Sequence, residues 1–442
     1  MIMVVAQKEA PRRAVKRKRD CLPFLVRPLW RFSAAFVLVT TLSAYSVLSH
    51  EAIIDSAWDS SLRPLLLERF PNATPDDLKE ARAHAYGGCI IQDMGYYPFG
   101  SKFFTNLVHY VLSGQFIVNL LSEAQDMNEF AFALGALEHY TADRDGHSIG
   151  VNRSVPLEYP KLQAKFGDVV TYADDPTSHL RVEFGFDVLQ VAHNRYAPES
   201  YHDFIGFKVA KPVLERAFRD TYGLDLKDVF SDLDLALGTY RRAVSTVIPE
   251  MTRVAWTMKR KELEKAQPGI TRRKFVYRLS ARSYRKEWDG HYREPGIGTR
   301  MLALFIRILP KVGIFKALAF KVPTPETEKL FEQSFLKASG SYRGLVAREH
   351  TSHLQLEDID FDTGKPTRPG EYRIADDTYA ELTIRLADKA SIDPKLRESI
   401  LTFYQDLDQP YATRHNRKTW EKTLAAVEKL RSAKITGSHG NQ

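Results

Sequence analysis

Residues 138–147 read Glu-His-Tyr-Thr-Ala-Asp-Arg-Asp-Gly-His, and the spacing inside this run decides how the chain is read. His139 and Asp143 stand four apart, which places both side chains on one face of a helix. His147 follows four residues further on, after Asp145-Gly146. A second pair, His179 and Glu183, repeats the interval in His-Leu-Arg-Val-Glu. A histidine and a carboxylate one helical turn apart is metal-ligand spacing, because their lone pairs converge on one point. One such pair arises on helices by chance; two pairs with a bracketing histidine carry more weight. Imidazole and carboxylate donors with no thiolate point to zinc.

The sequence around these pairs is helical in texture, so the fold class is all-α. Ser49 to Arg63 carries apolar Ile53, Ile54, Trp58 and Leu62 at close to a 3.6-residue period. Thr74-Pro75-Asp76-Asp77 is a helix start, with a Thr cap, Pro at the first position and carboxylates in the first turn. That helix is expected to stop at Gly87-Gly88. Gly100 to Leu121, Asp126 to Tyr140 and Pro176 to Val191 read as further helices, the last opened by Asp175-Pro176. Asp168 to Tyr172 is the one strand candidate. Beyond about residue 225 long charged helices are expected at 233–264, 326–347, 377–390, 394–406 and 417–432, with a Gly/Pro-rich loop over Asp360 to Tyr372. Met301 to Phe320 is apolar but interrupted by Arg307, Lys311 and Lys316, with Pro310 breaking it. It reads as a pair of core helices with snorkelling cations, and contact with a membrane surface, basic face outward, is the alternative.

The chain has 442 residues and a formal net charge of +8, which invites a nucleic-acid partner. The charge is confined to the front. Residues 1–44 hold nine basic and two acidic side chains, a net +7, which leaves +1 for residues 45–442. The basic stretch precedes the uncharged run from Phe32 to Ala44, and together they have the form of a secretory signal. Residues 1–44 are therefore expected to be a signal peptide, or an N-terminal anchor if they stay attached, and the protein to be exported, secreted or periplasmic. Two cysteines, Cys21 and Cys89, exclude a disulfide scaffold or a Cys-rich metal site. Packing and metals must stabilise the body instead.

Five segments, in this order and at these spacings, give the chain a family likeness: Tyr45-Ser-Val-Leu-Ser-His50, Gly88-Cys-Ile-Ile-Gln-Asp93, His109-Tyr-Val-Leu-Ser-Gly114, His139-x3-Asp143-x3-His147 and His179-x3-Glu183. Over roughly residues 45–195 the sequence resembles the zinc-dependent phospholipases C, which share an all-helical fold with fungal and plant zinc nucleases. The resemblance implies up to three zinc ions in one cleft. Asp93, His109 and His139 would hold the first, and Asp143 would bridge it to a second. His50 would hold the second with the amino group and carbonyl oxygen of Tyr45, once cleavage after Ala44 makes that residue the first. His147, His179 and Glu183 would hold the third. Family members commonly begin with Trp, and Tyr45 departs from this, although the ligand there is backbone. Asp93 would also orient the attacking water and so act as the catalytic residue. The other eight histidines are background.

The domain reading is then 1–44 signal or anchor, 45–225 catalytic domain, and 226–442 a helical C-terminal extension of unknown role in which nothing looks catalytic. The expected activity is hydrolysis of a phosphodiester, with phospholipid head groups as the first substrate class. Glu rather than Asp at 183, the lack of disulfides and a body at only +1 favour lipid, since nucleases gain affinity from basic surfaces. Leu112 stands where the related nucleases are expected to carry an acidic base-reading residue, and Tyr110 fits either substrate. A single-strand nuclease or 3′-nucleotidase on the same cluster, and a non-catalytic envelope protein with structural zinc, are the alternatives.

Overall fold

The computed structural model describes residues 47–192, 207–244, 248–266, 268–271, 319–351, 354–389 and 391–432. Among the described residues nine α-helices precede residue 193: α1 (Val47–Ala57), α2 (Arg63–Arg69), α3 (Pro75–Ile90), α4 (Lys102–Tyr110), α5 (Ser113–Glu123), α6 (Met127–Asp145), α7 (Asn152–Glu158), α8 (Pro160–Phe166) and α9 (Pro176–Ala192). Later come α10 (Lys211–Tyr222), α11 (Leu226–Val229), α12 (Leu233–Arg242), α13 (Ile248–Ala266), α14 (Pro325–Thr351), α15 (Arg373–Leu386), α16 (Pro394–Phe403) and α17 (Arg417–Ser432). Among the described residues the only sheet is an antiparallel pair, β1 (Ile359–Asp360) and β2 (Lys365–Pro366), with Ile359 opposite Pro366. The fold is all-α, as expected. Asp168 to Tyr172 is irregular rather than a strand; the Val170 amide donates to the Asn152 carbonyl at 2.9 Å and ties the segment to α7.

Local chemistry accounts for the element ends. Thr74 caps α3 through a reciprocal pair of bonds with Asp77, satisfying two amides that a helix start leaves open. Gly87-Gly88 do not stop α3, which runs on to Ile90. They are there for close approach. A Cβ on Gly87 would lie 1.7 Å from the Lys208 carbonyl oxygen, and one on Gly88 1.9 Å from that of Phe132 in α6. Gly135 on α6 answers, with its Cβ position 2.0 Å from the Ala85 oxygen. The stretch expected as one helix over Gly100 to Leu121 is two, because Leu112 takes a left-handed backbone, φ 49°. The Tyr222 hydroxyl donates to the carbonyls of Leu107 and Val111 at 3.2 and 2.9 Å, satisfying oxygens exposed at the break.

α6 is the axis of the fold. Every residue from Glu129 to Asp143 is buried, and α3 is its most intimate neighbour, with α1, α5 and α14 also against it. A helix buried all round has no polar face on which to place its polar residues. Glu138, His139 and Asp143 must therefore find partners inside the protein. The C-terminal elements belong to the same core: Phe331, Tyr342, Leu345, Tyr379 and Leu382 share one buried cluster with Ile53, Phe104 and Leu137. Tyr342 of α14 donates to the Leu134 carbonyl of α6 at 3.0 Å. Thr40–Gln442 is one compact unit, and residues on both sides of position 225 contribute to it.

Tyr45 and the whole of residues 1–44 lie outside the described residues, as does all of Met301 to Phe320 except Ala319 and Phe320. Phe320 is buried, its ring edge-on to Phe184 at 5.3 Å. Among the described residues no helix is long and apolar enough to cross a membrane.

Candidate metal centre

Three elements supply the first group, which lies towards the C-terminal end of α6. The short helical turn after α3 brings Asp93, the last turn of α4 brings His109, and α6 brings His139 and Asp143. One ligand atom from each lies within 4.8 Å of all the others. His109 Nε2 is 3.4 Å from Asp93 Oδ1 and 3.4 Å from Asp143 Oδ2, His139 Nε2 is 3.1 Å from Asp143 Oδ2, and the two Nε2 atoms are 3.3 Å apart. Zinc with bonds of about 2.0–2.1 Å in a tetrahedron spaces its ligands about 3.3 Å apart. The donors therefore stand at the edge lengths of such a site.

The second atom of each ring explains its orientation. His139 Nδ1 lies 2.9 Å from the Cys89 carbonyl oxygen and His109 Nδ1 2.8 Å from that of Thr105. A carbonyl only accepts, so both Nδ1 atoms carry the proton and both Nε2 atoms present lone pairs to the cluster. Two imidazole lone pairs facing each other at 3.3 Å repel unless a cation sits with them. The close crossing at Gly88 and Gly135 is what brings Cys89 within reach of His139. His50 on α1 stacks on His139, ring centroids 4.5 Å apart. Its Nε2 is 3.4 Å from Asp143 Oδ1, and its Nδ1 3.1 Å from Glu138 Oε2. Asp143 thus lies between His50 on one side and His109 and His139 on the other, the place of a bridging ligand.

The second group is His147, His179 and Glu183, again with ligand atoms within 4.8 Å. The His179 Nδ1 to Glu183 Oε1 distance is 2.6 Å, and the His147 and His179 rings stack at 4.9 Å. Asn152 at the start of α7 fixes the tautomer of His179. Its Nδ2 donates to the Asp362 carbonyl at 2.6 Å, so its Oδ1 must face His179 Nε2, 2.8 Å away, and accept that proton. Nδ1 is left for the group. His147 Nε2 is 3.7 Å from Asp143 Oδ1, so the two groups adjoin.

Charge and burial fit a cation. Asp93 Oδ1, both Asp143 oxygens, His179 Nδ1 and Glu183 Oε1 are buried without a hydrogen bond, a costly state that metal coordination relieves. Burial opposes a charge on His109, but contacts with Asp143 and Asp93 outweigh it and push its pKa up to about 10, so without metal a proton on Nε2 takes the cation's place and metal binding displaces it. For His50, burial is likewise outweighed, by Glu138 and Asp143, and its pKa is raised well above the usual imidazole range. Burial holds His147 down to about 3 and His179 down to about 4, so both stay neutral, as ligands must be. Burial, reinforced by the charges of Asp143 and Asp93, raises Glu183 well above the ordinary carboxyl range. Cys89 is buried and its thiol is pushed well up by burial; it serves through its carbonyl.

Of the nine positions expected as ligands, seven make up these two adjoining groups, His50 stands beside the first with its Nε2 3.4 Å from Asp143, and Tyr45 lies outside the described residues. His84 and His415 are elsewhere, bonded to the carbonyls of Glu80 and Ala412. His193, His202, His291, His353 and His439 are outside the described residues, as is the side chain of His350. Tyr110 is buried and donates to Asp362 Oδ2 at 3.1 Å. Sequence reasoning missed Glu138, Asn152 and Asp362. Glu138 was visible only as the neighbour of His139. Asp362 sits in the expected Gly/Pro-rich loop of the C-terminal extension, where nothing in the sequence looked catalytic, and its Oδ1 lies 3.1 Å from His147 Nδ1.

Two buried His/carboxylate groups in an all-helical frame form a candidate zinc centre. Residues 49–232 match the model of the zinc-dependent phospholipase C family. No curated protein and no solved structure matches the chain.

Proposed function

We propose that this protein hydrolyses phosphodiesters with zinc, and that its substrates are phospholipids cut on the diacylglycerol side of the phosphate. The observation that supports the reading most is the pair of adjoining donor groups, with the rings of His109, His139 and His179 each fixed by a partner behind it, inside a segment that matches the zinc-dependent phospholipase C family. Asp93, His109, His139 and Asp143 would hold one ion and His147, His179 and Glu183 another, with His50 and Asp143 offering donors for a third beside a processed terminus at Tyr45. Zinc bound there supplies Lewis acidity towards the phosphoryl oxygens and lowers the pKa of a water towards about 7. Asp93, whose Oδ1 has no hydrogen bond, orients the attacking water and accepts its proton. The P–O bond to diacylglycerol breaks, a P–O bond to the water oxygen forms, and the glycerol oxygen takes up a proton. Buried walls exclude bulk water and strengthen each of these interactions.

The test is a parallel assay of the zinc-loaded chain on phosphatidylcholine vesicles and on single-stranded DNA. Release of phosphorylated head group is expected. Cleavage of DNA alone would reverse the substrate assignment, and turnover of neither would remove the catalytic reading.

A further inference from the structure

The metal-centre residues come from the family segment, but one side chain against them does not. Residues 357–367 run across the ends of α4, α5 and α6 and are tied down at each. The Phe361 amide donates to the His109 carbonyl at 3.2 Å, and Thr367 Oγ1 to the Tyr110 carbonyl at 3.1 Å. Ser113 exchanges bonds with both backbone atoms of Ile359, at 2.6 and 3.0 Å. Tyr140 donates to the Glu357 carbonyl at 2.9 Å. A Cβ on Gly114 would come within 2.5 Å of the Glu357 oxygen, so α5 is cut back to receive the segment. Phe361 packs its ring on His109 and His139, centroids 5.3 and 5.9 Å away. The next residue, Asp362, is buried with Oδ1 3.1 Å from His147 Nδ1. Its Oδ2 accepts from the hydroxyls of Tyr110 and Tyr372, and its backbone carbonyl accepts from Asn152, the residue that fixes His179.

We propose that Asp362, from outside the family segment, is a positioning residue that completes the second donor group: its Oδ1, 3.1 Å from a His147 Nδ1 that is otherwise buried without a hydrogen bond, is placed to take that Nδ1–H when Nε2 is presented as ligand. The inference rests on the zinc reading above. His147 Nδ1 has no hydrogen bond like those that Cys89 and Thr105 give to His139 and His109, and Asp362 Oδ1 lies 3.1 Å from it, in position to supply one. A carboxylate behind a metal-bound histidine fixes the ring and raises its basicity, and losing it costs about 10–100-fold in metal affinity. Two tyrosine hydroxyls hold the carboxylate itself. The C-terminal part is on this account a component of the metal centre.

The experiment is calorimetric zinc titration of the full metal-free chain, with Glu183→Gln marking the binding phase that belongs to the second group. Asp362→Asn, close in shape but uncharged, should weaken that phase about 10–100-fold and leave the phase of the Asp93 group in place. Tyr372→Phe removes one hydroxyl from Asp362 without touching His147, and should weaken the same phase by a smaller factor. It also carries the test if Asp362→Asn does not fold. A purely structural role would lower the unfolding temperature of the metal-free variants while the folded protein bound zinc as before, and that result overturns the proposal. Wild-type protein that takes up no zinc would instead overturn the zinc reading, and this inference with it.

Discussion

Replacing Gly88 by alanine tests whether the α3–α6 crossing builds the metal centre. Helix propensity alone makes Ala better than Gly at an interior position by about 1 kcal/mol. The packing says the reverse. The new Cβ would lie 1.9 Å from the Phe132 carbonyl oxygen and 2.9 Å from the Ala136 nitrogen, both backbone atoms that cannot swing aside. Reaching even the 3.0 Å that real Cβ atoms respect requires the helices to part by 1.1 Å. The bond from His139 Nδ1 to Cys89 O, now 2.9 Å, would stretch to about 4 Å, beyond hydrogen-bond range. Overpacking costs about 1–3 kcal/mol, and an orphaned buried polar pair about 1–3 kcal/mol more. After the propensity gain of about 1 kcal/mol the net is a destabilisation of about 1–5 kcal/mol, together with a misaligned zinc ligand. Urea denaturation of the metal-free protein and zinc retention against a chelator read the two effects. A Gly88→Ala protein about 1 kcal/mol more stable than the parent, with unchanged zinc retention, would refute the reasoning.

Asp143→Asn removes the carboxylate facing His50, His109 and His139; activity should disappear and zinc content fall, and turnover at the parental rate would show the metal to be structural. In the metal-free protein His147 and His179 have folded pKa values near 3 and 4 against about 6.5 unfolded. The unfolded chain therefore binds more protons below about pH 6.5, and stability should fall as pH drops from there. His109, raised to about 10, contributes stability that is fully present below about pH 6.5 and lost as pH rises towards 10. Thermal unfolding across pH 5–9 should accordingly peak near neutrality, and a curve rising steadily to either end would contradict these assignments. If residues 1–44 act as a signal peptide, sequencing the amino terminus of the mature protein should find Tyr45 first; another start would take the terminal amine away as a donor beside His50.

What could be read from sequence was what depends on neighbours within one turn. The His139/Asp143 and His179/Glu183 pairs, the Thr74-Pro75 helix start and the helix at Arg417–Ser432 are set by local periodicity and capping, and the fold keeps them. The misreadings share one cause. Gly87-Gly88 have the local form of a helix stop, but a second backbone presses against them and only Gly leaves room. Leu112 has no composition signal for a left-handed turn; Tyr222, far along the chain, satisfies the carbonyls around it. Glu138 is adjacent to a ligand yet acts through His50 from another helix. Asp362 lies in a segment whose Gly and Pro content speaks only of turns, and its importance comes from where β1 is docked. The second partners of histidines are tertiary facts, whereas ligand spacing is a helical one.

The central claim is that the two donor groups hold zinc. Anomalous diffraction at the zinc edge from crystals of the protein tests it directly. Peaks are expected among Asp93, His109, His139 and Asp143, and among His147, His179 and Glu183. Protein that carries no zinc at either group when purified and crystallised with the metal would contradict the account.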